Sequence, residues 1–190
     1  VGIGSICRKL LEDIGVYIGS RVIQIHDIVD DCDIDLNKGA ISISTIADQS
    51  DVRCIGKLES EKMKKRIDKA KKSGDSVGGR FEVFATGVPV GLGSYSQWFD
   101  RLQSKISESI MSINAIKGIE FSNAFANSLE FGSKVHDEIG WDGKSYIRYS
   151  NNAGGIEGGI SNGEPIVFQA AMKPIPTLIK PLKSVDIITK

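Results

Sequence analysis

Apolar residues fall at helical spacing at Ile3, Ile6, Leu10, Leu11 and Ile14, and Gly15 follows the last of them, so the pattern predicts a helix over residues 3–14 with a glycine stop. The spacing then changes. Residues 16–28 are β-branched and alternate, with Ile23, Ile25 and Asp27 on one side and Val22, Gln24 and His26 on the other, which predicts a strand. The acidic stretch at residues 30–35 reads as a solvated loop, because the glycine and closing glutamate of a calcium loop are missing. Residues 57–73 carry strong helix formers throughout, with a thin stripe of Leu58, Met63, Ile67 and Ala70, and Gly74 ends them. A strand bounded by glycine is expected over 79–86, turns over 87–93, and a second helix over 98–113 with Trp98, Leu102, Ile106, Ile110 and Ile113 on one face. Further strands fit 118–121 and 165–172. Helices and strands mix without a regular βαβα alternation, so the class is α+β rather than a doubly wound sheet.

Charge narrows the functions such a fold could serve. The 24 Lys and Arg are balanced by 24 Asp and Glu, which leaves no overall field for a polyanion and argues against a protein that coats nucleic acid. The seven basic residues from Lys62 to Lys72 are interleaved with Glu59, Glu61 and Asp68 at pairing distance, so this helix reads as a solvated face. No apolar stretch approaches the roughly 20 residues that span a bilayer, and a membrane partner is not expected. Cys7, Cys32 and Cys54 are odd in number and widely spaced, which points to reduced thiols in the cytoplasm and to no metal site. Of the two histidines, His136 reads as a partly exposed polar residue and His26 as a packed or hydrogen-bonded imidazole on a strand. No G-x-S-x-G elbow is present.

The densest anomaly is residues 150–165, SNNAGGIEGGISNGEP, with five glycines and three asparagines in sixteen positions. Such a backbone turns sharply or lets something approach closely, and its free N–H groups could cradle a phosphate or the polar edge of a cofactor ring; an ordinary surface loop fits the composition equally well. Neither the Rossmann fingerprint nor the P-loop is matched. In KPIPT, at 173–177, two prolines hold the chain extended beside one lysine, as at the end of an edge strand or in a rigid arm facing an anion.

Taken in series, GDSVGG at 74–79, GVPVGLG at 87–93, MSINAIKGIEF at 111–121, Gly132, Ser133 and Asp137, the glycine segment and Lys173 with Pro174 resemble the chorismate synthase family, in its order and with its spacings. The resemblance implies a β-α-β sandwich and a lyase of the shikimate pathway, which forms chorismate and phosphate from 5-enolpyruvylshikimate 3-phosphate by 1,4-elimination with reduced FMN. It also implies a homotetramer in the cytoplasm. Carried over by position, the flavin contacts fall on Asn114, Ala115, Gly158, Lys173, Pro174, Ile175, Pro176 and Thr177. Ile175 stands where threonine is common, which leaves backbone contacts there but no hydroxyl. Three signature blocks of the family have no counterpart in this chain, among them those with the two family histidines and most substrate-binding arginines. No catalytic residue is therefore expected here, and residues 1–190 are expected to form the central core of a larger domain, inactive alone. A stand-alone flavin- or phosphate-binding module that lacks the chemistry is the alternative; an interaction protein built on the basic helix is a third.

Overall fold

The computed structural model describes residues 2–190. It opens with α1 (Gly2–Asp13), ended as expected by Gly15 in the left-handed region at φ 83°. β1 (Tyr17–Ile25) follows and reverses at His26 and Asp27 into β2 (Ile28–Val29), with Ile25 opposite Ile28. The strand expected over 16–28 is thus a hairpin. His26 is correspondingly not packed on a strand: it lies exposed in the turn at φ 54°, with Nδ1 2.8 Å from Oδ1 of Asp27. Arg66 donates to the other Asp27 oxygen at 2.8 Å and pins the reversal to the next long helix.

α2 (Ala40–Ala47) lies where the pattern predicts no element, and it is buried through Ala40, Ile43, Ser44 and Ala47. α3 (Lys57–Ser73) keeps its expected bounds and is closed by Gly74 at φ 72°. Its charges pair on the surface, Lys64 with Glu61 and with Asp51, each at 2.9 Å. Met63 is fully buried, whereas Leu58, placed on the same stripe by its spacing, is exposed. β3 (Gly79–Thr86) also matches. The helix expected over 98–113 is shorter: Trp98–Asp100 is a separate 3-10 turn, Arg101 is extended, and α4 covers Leu102–Met111. The break is set by a distant segment, since Leu102 N–H donates to the Gly159 carbonyl at 2.8 Å.

β4 (Ile116–Phe121) is followed by the single-turn helices α5 (Ala124–Asn127) and α6 (Gly132–Val135). Two small hairpins come next, β5 (Ile139–Trp141) with β6 (Tyr146–Arg148) and β7 (Ile156–Glu157) with β8 (Ile160–Ser161). β9 (Ile166–Met172) ends the regular structure.

Five strands form one sheet in the order β2-β1-β3-β9-β4, antiparallel throughout, within the α+β class expected. Alternation along the strands sends side chains to two faces. On one, Phe168 and Ile166 of β9 join Val16 and Val88, with Val83, Leu11 of α1, and Leu102, Ile106 and Ile110 of α4 packed around them. On the other, Phe84 meets Ala40 and Ile43 of α2. Gly19 lies beneath this contact, where a Cβ would run into the Phe84 ring and the Ala40 carbonyl, so the glycine allows α2 to sit flush. Further along the same face, Arg21 donates to Glu82 at 2.8 Å and to the Cys32 carbonyl at 2.6 Å, both charges being buried and therefore dependent on each other.

Candidate functional site

The sheet register builds the first part of the site. Because Ile116 of β4 opposes Met172 of β9, the residue before β4 must lie beside the residue after β9. Lys173 N–H accordingly donates to the Ala115 carbonyl at 2.9 Å. Ala115 is held at φ 71°, a left-handed conformation that costs an L-residue roughly 1–2 kcal/mol and here turns the chain out of α4 into β4. Asn114, exposed, and Ala115, half-buried, therefore stand at the foot of the arm at 173–177, which is itself exposed along its length.

The GDSVGG turn forms the bed of that arm. Ser76 Oγ donates to the Ile175 carbonyl at 2.6 Å, and a Cβ on Gly78 would meet the Met172 carbonyl and Pro174. With Pro174 and Pro176 restricting the backbone, the arm presents a fixed edge of peptide groups, the Thr177 hydroxyl and the Lys173 ammonium. Among the described residues Lys173 makes no ion pair, which leaves this cation available to an anion.

The glycine segment builds the second part, and its glycines serve different ends. Gly154 and Gly155 are buried, and side chains there would strike Ser122 and Val167, or Pro165 and Ile166. Gly159 is pressed against Ser94 and Arg101. Gly158, at φ 61° on the tip of the β7–β8 hairpin, has nothing within 4 Å of the place a Cβ would occupy. Three of these glycines are accounted for by close packing within the chain; Gly158 faces open space, where a ligand could approach the backbone. It is also set apart from the other expected contacts. Gly159 meets the N-terminal end of α4, while Ala115 lies beyond its C-terminal end, and ten helical residues rise about 15 Å. The structure thus brings Asn114, Ala115 and 173–177 together and places Gly158 at the far end of α4.

Several residues that organise this wall carry no expected ligand contact. Asp137 accepts hydrogen bonds from the Ser150 hydroxyl at 2.5 Å, from Asn152 N–H at 2.7 Å and from Ala153 N–H at 2.9 Å. Burial alone would raise its pKa, but these donors, with Arg148 nearby, hold the carboxyl below the usual range. Asn151 closes the base of the segment, donating to the Pro165 carbonyl and accepting from Gly155 N–H, each at 2.8 Å. Arg148 donates to Glu157 at 2.6 Å and to the Asn162 carbonyl at 3.1 Å. Asp137 was visible in the sequence only as the end of a motif; nothing along the chain signalled its donors. Cys32 and Cys54 show no such tie to the site. Burial, together with Asp30, pushes the Cys54 thiol up to about 12, outside the range of a reactive thiolate. His136 lies exposed beside the wall.

The fold is an α+β core, and its candidate site is a wall of backbone turns beside Lys173, unlike a Rossmann or P-loop nucleotide site. A family model described as chorismate synthase matches residues 1–190. Among curated relatives, chorismate synthase of Aquifex aeolicus (strain VF5) is 47% identical over 196 residues, taking in 100% of this chain and 49% of the relative. Chorismate synthase of Sulfurihydrogenibium sp. (strain YO3AOP1) is 48% identical over 194 residues, with 100% and 50% covered. A solved structure described as a crystal structure of chorismate synthase superposes with a TM-score of 0.84 at 45% identity, covering 90% of this chain and 54% of that one. The chain belongs to the chorismate synthase family. It spans about half the length of the curated relatives it matches.

Proposed function

We propose that residues 1–190 form the central part of a chorismate synthase and supply one wall of its flavin pocket. The substrate on this reading is 5-enolpyruvylshikimate 3-phosphate, which loses phosphate and a ring hydrogen to give chorismate, and the working protein is a cytoplasmic homotetramer. The observation that carries the proposal is the family match over residues 1–190, which includes each motif lining the wall. The wall fits an elongated anionic cofactor in three respects: the unpaired Lys173, the rigid exposed edge of 173–177, and open space over Gly158.

Reduced FMN, when bound, would lend electron density to the substrate as phosphate departs. This chain's own contribution is to bind and orient. Lys173 offers positive charge to an anionic group, Pro174 and Pro176 keep the peptide edge from collapsing onto it, and the Thr177 hydroxyl adds a donor. Asn114 offers an amide, beside an Ala115 backbone already fixed by Lys173 N–H. The groups that handle the ring proton are assigned to the family blocks outside this chain.

The test uses the full-length protein and the 190-residue chain side by side. The full-length protein should form chorismate only when supplied with reduced FMN, and the 190-residue chain should form none; turnover by the latter would refute the assignment of the acid and base groups. In the full-length protein, Gly158→Trp and Lys173→Ala should each weaken FMN binding at least tenfold, measured by quenching of flavin fluorescence. Unchanged affinity in both variants would remove the positional assignment of the wall.

A further inference from the structure

We infer that Asp137 is the positioning residue of the glycine segment, setting through residues 150–153 the place at which Gly158 meets its ligand. The inference deepens the flavin reading of that segment and rests on it.

Three donors converge on one carboxylate. Oδ1 accepts from the Ser150 hydroxyl and Asn152 N–H, and Oδ2 accepts from Ala153 N–H. An ionised carboxylate accepts on both oxygens without presenting a proton of its own; an amide would turn an N–H toward one of the donors. Asp137 lies in the link between α6 and β5, outside the main sheet, and no core cluster includes it. Its partners open the glycine segment. From there the chain has little slack, since Asn151 ties Gly155 and Pro165 together, and Gly154 and Gly155 are wedged against Ser122, Val167, Pro165 and Ile166.

A second anchor holds the other side. Arg148 grips Glu157 and the Asn162 carbonyl, on either side of the β7–β8 tip. The tip carrying Gly158 is therefore held by two opposite charges, Asp137 and Arg148, which lie close together at the open end of the β5–β6 hairpin, where Arg148 opposes Ile139. Release of the Asp137 anchor frees the entry of the segment while leaving the β3, β9 and β4 ladder in place. The expected consequence is a displaced or mobile Gly158 on an intact fold.

The experiment compares wild type, Asp137→Asn, Ser150→Ala and Asp30→Asn in the full-length protein. It reads FMN affinity, melting temperature and amide hydrogen exchange of residues 150–163 against β3. Asp137→Asn should weaken FMN at least tenfold and speed exchange in 150–163 at least tenfold, with β3 unchanged. Ser150→Ala, which removes one donor of three, should fall between. Asp30→Asn, at a buried carboxylate whose hydrogen-bond donors all lie outside the wall, should lower the melting temperature more than Asp137→Asn yet leave FMN affinity within twofold. Wild-type affinity and exchange in Asp137→Asn overturns the inference, as does an affinity loss in Asp30→Asn as large as that in Asp137→Asn. If the wild-type protein binds no FMN, the flavin reading falls by itself. The exchange arm then decides alone: acceleration confined to 150–163 upholds Asp137 as the positioning residue, and unchanged exchange removes it.

Discussion

Asp30 and Asp137 are chemically alike, each a carboxylate that gathers several donors from a distant stretch of chain, yet they lie in regions of opposite character. Asp30 is 3% exposed and accepts from Cys32 N–H, Ile55 N–H, Gly56 N–H and the Cys54 thiol, fastening the end of β2 to the entry of α3. Asp137 is half-buried and fastens a loop rich in glycine. Around Asp30 the held elements pack onto the sheet, so its bonds add to a structure already fixed by apolar contacts. Around Asp137 the segment has few side chains to bury, and its shape depends on the hydrogen bonds themselves. The same device therefore serves stability in one place and geometry in the other.

Replacement of each carboxylate by its amide separates these roles. Asp30→Asn puts an N–H where a buried acceptor stood and should cost about 2–3 kcal/mol, lowering the melting temperature by roughly 4–12 °C in a chain of this size. Asp137→Asn, at a half-exposed site, should cost only about 1 kcal/mol, or roughly 2–4 °C. Equal losses in the two variants would dissolve the contrast.

A smaller effect is expected in acid. Burial pushes both carboxyls upward, but the donors around each outweigh it, so both titrate below the ordinary carboxylate value. The unfolded chain then takes up protons first as pH falls. The stabilisation they contribute is complete above about pH 5 and is lost as pH falls through the folded values. Urea unfolding at a series of pH values should show a shallower acid limb in either amide variant than in wild type. A limb of unchanged slope would mean that the carboxylate is not held in its charged form.

The smallest change is expected at the thiol beside Asp30. Cys54→Ser retains a hydrogen-bond donor to Asp30 and should cost less than about 1 kcal/mol. In wild type at pH 8, the exposed Cys7 should react with a thiol reagent well before Cys54, which is fully buried and poorly ionised. Early modification of Cys54 would show that the Asp30 region opens as readily as the glycine segment.

Legibility of the fold in the sequence followed how local each element's cause is. α3 and β3 were readable to the residue, because helix formers ending at Gly74 and a strand bounded by Gly79 and Gly87 are local signals. α2 was hidden: Ile41 and Ile43 alternate with Ser42 and Ser44 as in a strand, and the helix is secured by packing of Ala40 and Ile43 on Phe84, a residue far along the chain. Arg101 breaks the helix expected over 98–113 because Gly159 takes the Leu102 N–H. The turn at His26 was masked by the β-branched Ile28 and Val29 that follow it. For the site, composition could point to the glycine segment and the proline arm as unusual, and the resemblance could number the residues. The contact of Ala115 with Lys173 depends on strand register, and the role of Asp137 on donors in another loop; neither has a one-dimensional signature.

The interior place of β9 in the sheet bears on synthesis. It pairs with β3 on one side and β4 on the other, although both are made well before it. A nascent chain that has not reached Ile166 therefore carries two open strand edges, which invite pairing with other chains. Lys173 follows β9 at once, so the strand that fills the gap between β3 and β4 also delivers the arm to Ala115. A nascent chain stopped short of β9 would therefore keep both edges exposed and leave the Ala115 carbonyl without its Lys173 partner.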